Sequence, residues 1–187
     1  MDINKEKYAI LGTLGDDEGF LTCSMHIAKK MDNSDMIKPY PEFEAAAEDL
    51  KSGAISCLLV PGAYPKLNSF IMDSDLVVSE SFVEKIPALV LSGFHAACPE
   101  QIDTIFHHPA TTYLLSELNI AYRENSTVSS NPEACRQVML NTETSIALTN
   151  QLCADHYGLV TYKVLREGIQ MPWVCFTKKP QRVNALV

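Results

Sequence analysis

The chain has 187 residues, 47% of them hydrophobic, and a formal net charge of −8. That length supports one or two compact lobes with a real core. The acidic balance excludes a nucleic-acid partner, because phosphate binding needs a clustered basic face and the only basic doublets are Lys29-Lys30 and Lys178-Lys179.

Apolar runs alternate with helical spacing along the chain. Residues 8-YAIL-11 read as a buried strand and 12-GTLG-15 as a glycine loop. Helical intervals between Phe20, Cys23, Ile27 and Met31 predict a helix over 19–31. A short strand at 36–40 precedes a helix over 42–53, closed by Gly53 as its C-cap. Residues 55–61 read as a strand ending at Pro61, and 62-GAYPKLNSF-70 as loop. Two extended runs, 75–83 and 86–93, lead to a strand at 104–107. A helix over 109–118 starts with Pro109, where a missing N–H costs nothing. The remaining expectations are a strand at 119–124, a helix at 129–140, a strand at 144–149, a helix at 150–158, an extended run at 159–165 and a last strand at 173–176.

This is an α/β chain without internal repeats. The pattern predicts two small lobes within one unit of 187 residues. One covers about 1–85 plus 166–187, the other about 86–165. The N-terminus mixes charges and lacks the apolar core of a signal peptide. The longest apolar stretch, 86–98, falls short of the ~18–20 residues a spanning helix needs. The expectation is a soluble cytoplasmic protein with no membrane partner.

Six cysteines lie far apart with no C-x-x-C pair, against both a disulfide framework and a zinc site. The adjacent His107 and His108 diverge on any regular element, which is poor metal geometry. No metal and no cofactor are expected.

Three strand-to-helix junctions, 107-HHPATT-112, 125-NSTVSS-130 and 149-TNQ-151, offer hydroxyl and amide side chains where helix N–H groups are free. Such side chains are also ordinary N-caps. Together with 12-GTLG-15 they describe a site that holds a carboxylate through backbone and neutral donors.

With these landmarks the chain resembles the catalytic domain of prephenate dehydratases. The matching features are Gly12 and Gly15, His108-Pro109, Asn125-Ser126-Thr127 followed by Ala134, and 145-SIALTNQLCADHYGL-159. The resemblance spans nearly the whole chain. It implies a two-lobed type II periplasmic-binding-protein-like α/β fold with substrate between the lobes, a homodimer, and no regulatory ACT domain at this length. Two departures stand out. Prephenate dehydratases carry Thr-Arg-Phe on the last strand, whose threonine is implicated in expelling the ring hydroxyl; here Met171, Pro172 and Trp173 occupy those positions. In the glycine loop, Asp16 and Glu18 stand where Thr and Ser are expected. Acids in a first helical turn also simply suit the positive helix end.

The first departure resembles the non-aromatising prephenate decarboxylases of the bacilysin-pathway type. These share the short length, a phrase like 61-PGAYPKLNSF-70 and a Met-x-Trp ending. The resemblance implies a small dicarboxylate substrate, with His108, Thr127 and Met171 as catalytic candidates. It implies Gly12, Gly15, Tyr64, Asn125, Ser126, Thr149, Asn150 and Trp173 as substrate contacts. Tyr64, His108, Thr127 and water stay open as proton sources. The alternatives are a true dehydratase giving phenylpyruvate, a non-catalytic carboxylate-binding module, and a related cyclohexadienyl acid as substrate, which Asp16 and Glu18 motivate.

Overall fold

The computed structural model describes residues 8–15, 19, 21–31, 34–141 and 143–180. The loop acids Asp16, Asp17 and Glu18 lie outside the described residues. The chain divides into two units: one holds the described residues within 1–17, 27–84 and 171–187, the other those within 18–26 and 85–170.

The first unit is built on a five-stranded sheet in the order β2-β1-β3-β10-β4, from β1 (Tyr8–Leu14), β2 (Ser34–Tyr40), β3 (Cys57–Pro61), β4 (Leu76–Lys85) and β10 (Gln170–Lys178). β1 runs parallel to β2 and β3, whereas β10 returns antiparallel to β3. Helix α2 (Phe43–Ser52) buries Phe43, Ala46, Ala47 and Leu50, the spacing of one helical face. That face joins Tyr40, Ile55, Leu58, Val60, Phe70 and Phe176 in the core. Gly53 ends α2 at φ 87°, in the left-handed region that favours glycine, and its N–H returns to the last turn. Residues 62–70, expected as loop, include the start of a short helix α3 (Leu67–Ile71), which buries Phe70.

Helix α1 (Cys23–Met31) begins later than its apolar spacing predicts. The Thr22 hydroxyl accepts from the Met25 N–H at 3.1 Å, a cap that fixes the start, and Gly19 sits at φ 94° ahead of it.

The second unit carries the sheet order β7-β6-β8-β5-β9, from β5 (Leu89–Gly93), β6 (Ile102–His107), β7 (Tyr122–Thr127), β8 (Ser145–Asn150) and β9 (Val160–Arg166). β6 is parallel to β7 and β8, and β5 is antiparallel to β8 and β9. All six residues of β8 are buried, as expected for a strand covered on both faces. One core joins Val90 and Ala147 to α4 (Asn131–Leu140) and α5 (Gln151–His156). The other joins Ile105, Ile146 and Leu148 to Leu114 and Leu115.

Leu114 and Leu115 belong to Pro109–Glu117, which is a 3₁₀ helix rather than the expected α-helix. The hydroxyls of Thr111, Thr112 and Ser116 donate to the carbonyls three residues earlier, at 2.8 Å each. Such local bonds compete with the i→i−4 ladder and tighten the turn. The strand expected over 119–124 is β7, displaced to Tyr122–Thr127. Pairing with β6 sets that register, with Ile102 opposite Tyr122 and His107 opposite Thr127. Asn125, Ser126 and Thr127 therefore stand within a strand rather than after one.

Candidate functional site

In the first unit the glycine loop is more sheet than loop. Gly12 is inside β1, with Lys38 of β2 on one side and Leu58 of β3 on the other. A Cβ there would lie 2.5 Å from Ile55 Cδ1 and 2.9 Å from Tyr40 Cε2, so the bare backbone admits two core side chains. The Gly15 N–H, expected to face an anion, donates to the Tyr40 carbonyl at 2.9 Å. Thr13, which the sequence did not single out, is fully buried and donates to the Leu59 carbonyl at 2.8 Å.

Tyr64 packs edge-on to Phe43 and stacks on Phe70, with centroids at 4.7 and 6.0 Å. Its hydroxyl donates to Glu44 Oε1 at 2.8 Å, and Lys66 Nζ reaches the same oxygen at 2.8 Å. Burial, and then the bond to the Glu44 carboxylate, push the phenol up to about 12.

β10 brings Met171, Pro172 and Trp173 against the end of β3. Trp173 pairs with Pro61, and the Gly62 N–H donates to the Pro172 carbonyl at 2.6 Å. A Cβ on Gly62 would lie 2.6 Å from Pro172 Cγ, so glycine permits the close approach. Met171 is half-buried and Pro172 exposed. Trp173 is 1% exposed, and its Nε1–H is buried with no hydrogen-bond partner among the described residues. A buried donor without a partner costs about 1–3 kcal/mol. Such groups in native structures call for a specific explanation.

In the second unit, parallel pairing of β6 with β7 and β8 carries the three junctions to one sheet edge. His107, Thr127 and Asn150 are the last residues of the three strands. Each strand leads into a helical segment with its own cap. His108 Nδ1 accepts from the Ala110 N–H at 3.2 Å, Ser130 Oγ from Glu133 N–H at 3.2 Å, and Asn150 Oδ1 from Cys153 N–H at 2.9 Å.

These expected contacts divide into two kinds. Thr149 and Asn150 are fully buried and bonded within the unit. Thr149 Oγ1 donates to the Asn131 carbonyl at 3.0 Å, and Asn150 Nδ2 donates to the Leu21 carbonyl at 2.8 Å. Asn150 thereby ties residues 21–23 to α5, a long-range role that sequence spacing does not reveal. Asn125 and Thr127, in contrast, are exposed. Strand alternation puts these two on one face with His107, and Ser126 on the other.

His108 is partly buried, and burial, followed by the neighbouring His107, lowers its titration below the ordinary histidine value. Near pH 7 it is therefore neutral. His107, set aside in the sequence as half of a poor metal pair, is fully buried. Its Nδ1 lies 3.1 Å from the His108 carbonyl, and its Nε2 lies 3.2 Å from Asn125 Oδ1.

Both units have the topology of type II periplasmic-binding-protein-like α/β domains, and that is the fold of this chain. No family model and no curated protein matches the sequence. Among solved structures, the prephenate dehydratase of Arthrobacter aurescens in complex with L-Phe superposes with a TM-score of 0.67 at 16% identity, over 92% of this chain and 61% of that one. GqqA, described as a novel type of quorum-quenching acylase, gives 0.62 at 14% identity, over 91% and 64%. The OxyR2 regulatory domain of Vibrio vulnificus, as a C206S mutant, gives 0.54 at 15%, over 98% and 92%. The chain thus spans less than two thirds of the dehydratase and of the acylase. At these identities the shared property is the fold.

Proposed function

We propose that the chain binds prephenate and removes its ring carboxylate without aromatising the ring. The observation that carries this reading is the β10 segment Met171-Pro172-Trp173, which has no hydroxyl and no cation. The dehydratases that the sequence resembles place Thr-Arg-Phe there. Aromatisation requires the ring hydroxyl to depart with its electron pair, and a positioned acid lowers that barrier. Without one, the bond from the ring to the carboxylate can break while the hydroxyl stays. CO₂ leaves, the electron pair shifts through the adjacent ring double bond, and a ring carbon takes up a proton. The product is a dihydro-4-hydroxyphenylpyruvate, a precursor suited to dihydrotyrosine-like secondary metabolites.

The unpaired Trp173 indole N–H supports a role in binding, as a donor to a carbonyl or carboxylate oxygen. Asn125 and Thr127 supply neutral donors in the second unit. Of the proton sources considered, Tyr64 is committed to Glu44 and is a weaker acid than a free phenol, and His108 is neutral near pH 7. The proton on the ring carbon then comes from the exposed Thr127 hydroxyl or from water.

The same two observations favour a second reading, a carboxylate-binding module without catalysis, since neither side chain is a ready acid. Incubation with prephenate separates the readings. Release of one CO₂ per prephenate, with no phenylpyruvate absorbance in alkali before acid treatment, is expected. Stoichiometric phenylpyruvate would make the chain a dehydratase, and saturable binding without CO₂ would make it a binding module.

A further inference from the structure

His107 is the last residue of β6 and fully buried, while Asn125 on the adjacent β7 is exposed. The imidazole spans two oxygen atoms. Nδ1 is 3.1 Å from the His108 carbonyl, which can only accept, so Nδ1 carries a proton in every state that keeps this bond. Nε2 is 3.2 Å from the Asn125 side-chain oxygen. If the ring is an imidazolium, Nε2–H donates to Oδ1 and the Asn125 NH₂ group points away from the ring. If the ring is neutral, Nε2 must accept. The Asn125 amide then turns over, its NH₂ donates to Nε2, and its oxygen points away. The two amide orientations have the same shape, so both fit the same space.

We infer that His107 is a positioning residue whose protonation and the orientation of the Asn125 amide change as one event. A proton on a buried ring thus decides whether an exposed side chain offers a donor or an acceptor. The donor state also carries the imidazolium charge, so it is the state that receives a carboxylate. Binding of a carboxylate at Asn125 then draws a proton from solvent onto the His107 ring while the ligand stays ionised; this last consequence rests on the reading of Asn125 as a substrate contact.

His108 is the titratable neighbour on the 3₁₀ side, and it is neutral near pH 7. Thr127 on β7 and Leu148 on β8 stand opposite His107 and carry no charge. On α4, Glu133 and Arg136 pair with each other at 2.7 Å. Asp103 on β6 accepts from Thr144, and Glu124 on β7 accepts from Thr104.

Nitrogen-15 NMR of the whole chain between about pH 5 and 9 tests the coupling across the histidine range. The His107 ring nitrogens and the Asn125 NH₂ resonances should shift with one midpoint, and Asn125→Ala, at an exposed position, should move the ring's midpoint. An Asn125 amide that does not respond while His107 titrates overturns the inference. So does a ring protonated on Nε2 alone, or one that stays neutral throughout. Prephenate affinity supplies the second arm. In the wild type it should weaken as His107 loses its proton, and in His107→Gln, whose amide donates at every pH, that dependence should be lost. An unchanged pH dependence in the variant contradicts the inference. Failure of prephenate to bind either form would count against the proposed function, and the NMR arm would still decide the role of His107.

Discussion

At the scale of single residues, the same residue type serves ends that only contacts distinguish. Gly12 and Gly15 read in the sequence as a cradle for an anion. In the structure Gly12 admits Ile55 and Tyr40, and the Gly15 amide is bonded to Tyr40. Gly12→Ala should therefore destabilise the chain by about 1–3 kcal/mol, the usual cost of overfilling a packed core. Chemical denaturation measures this, and an unchanged midpoint would refute the packing role. His108 makes a prediction in pH. Its folded-state value lies below that of the unfolded chain, so the unfolded chain binds the proton first as pH falls. Stability should be unaffected by this group well above about pH 6.5 and should decline as pH drops from there toward the folded-state value. His108→Asn keeps an acceptor for the Ala110 N–H and should remove that part of the decline in urea titrations. The His108 bond to the backbone at the helix start was legible in the sequence, whereas the packing at Gly12 was not, because spacing along the chain does not say which buried atom a residue meets.

At the scale of elements, the boundaries marked by Gly53 and Pro109 were legible, and those set by strand pairing at β7 and by the Thr22 cap of α1 were not. The Gly53 stop and the Pro109 start stand where turn chemistry puts them. β7 was displaced because Arg123-Glu124-Asn125-Ser126-Thr127 carries no apolar alternation, and only pairing with β6 makes it a strand. The helix N-terminal to residue 31 starts late because Thr22, not apolar spacing, supplies the cap. Residues 21–23 then belong with the second unit, held there by Asn150. Asn150→Ala deletes both the α5 cap and this tie, and should lower stability by about 2–3 kcal/mol in calorimetry or denaturation. A loss confined to a few tenths would mean that the tie is dispensable. On β10 the chain's single tryptophan offers a direct reporter. If the buried indole N–H of Trp173 receives a ligand oxygen, prephenate should change its emission with a saturable profile. Emission that stays constant while prephenate demonstrably binds would remove Trp173 from the site.

At the scale of the whole molecule, the fold was legible through the order and spacing of its motifs, and the two sheet orders show it. The fold does not choose a function. It is shared with a prephenate dehydratase, a quorum-quenching acylase and the OxyR2 regulatory domain. The proposed choice rests above all on Met171-Pro172-Trp173, a segment of β10 with no hydroxyl and no cation. The most direct test is proton NMR of the product formed from prephenate by the purified chain. Loss of CO₂ with the ring hydroxyl retained and non-aromatic ring protons is the predicted result. Aromatic resonances of phenylpyruvate, appearing in step with substrate loss and without acid treatment, would contradict it.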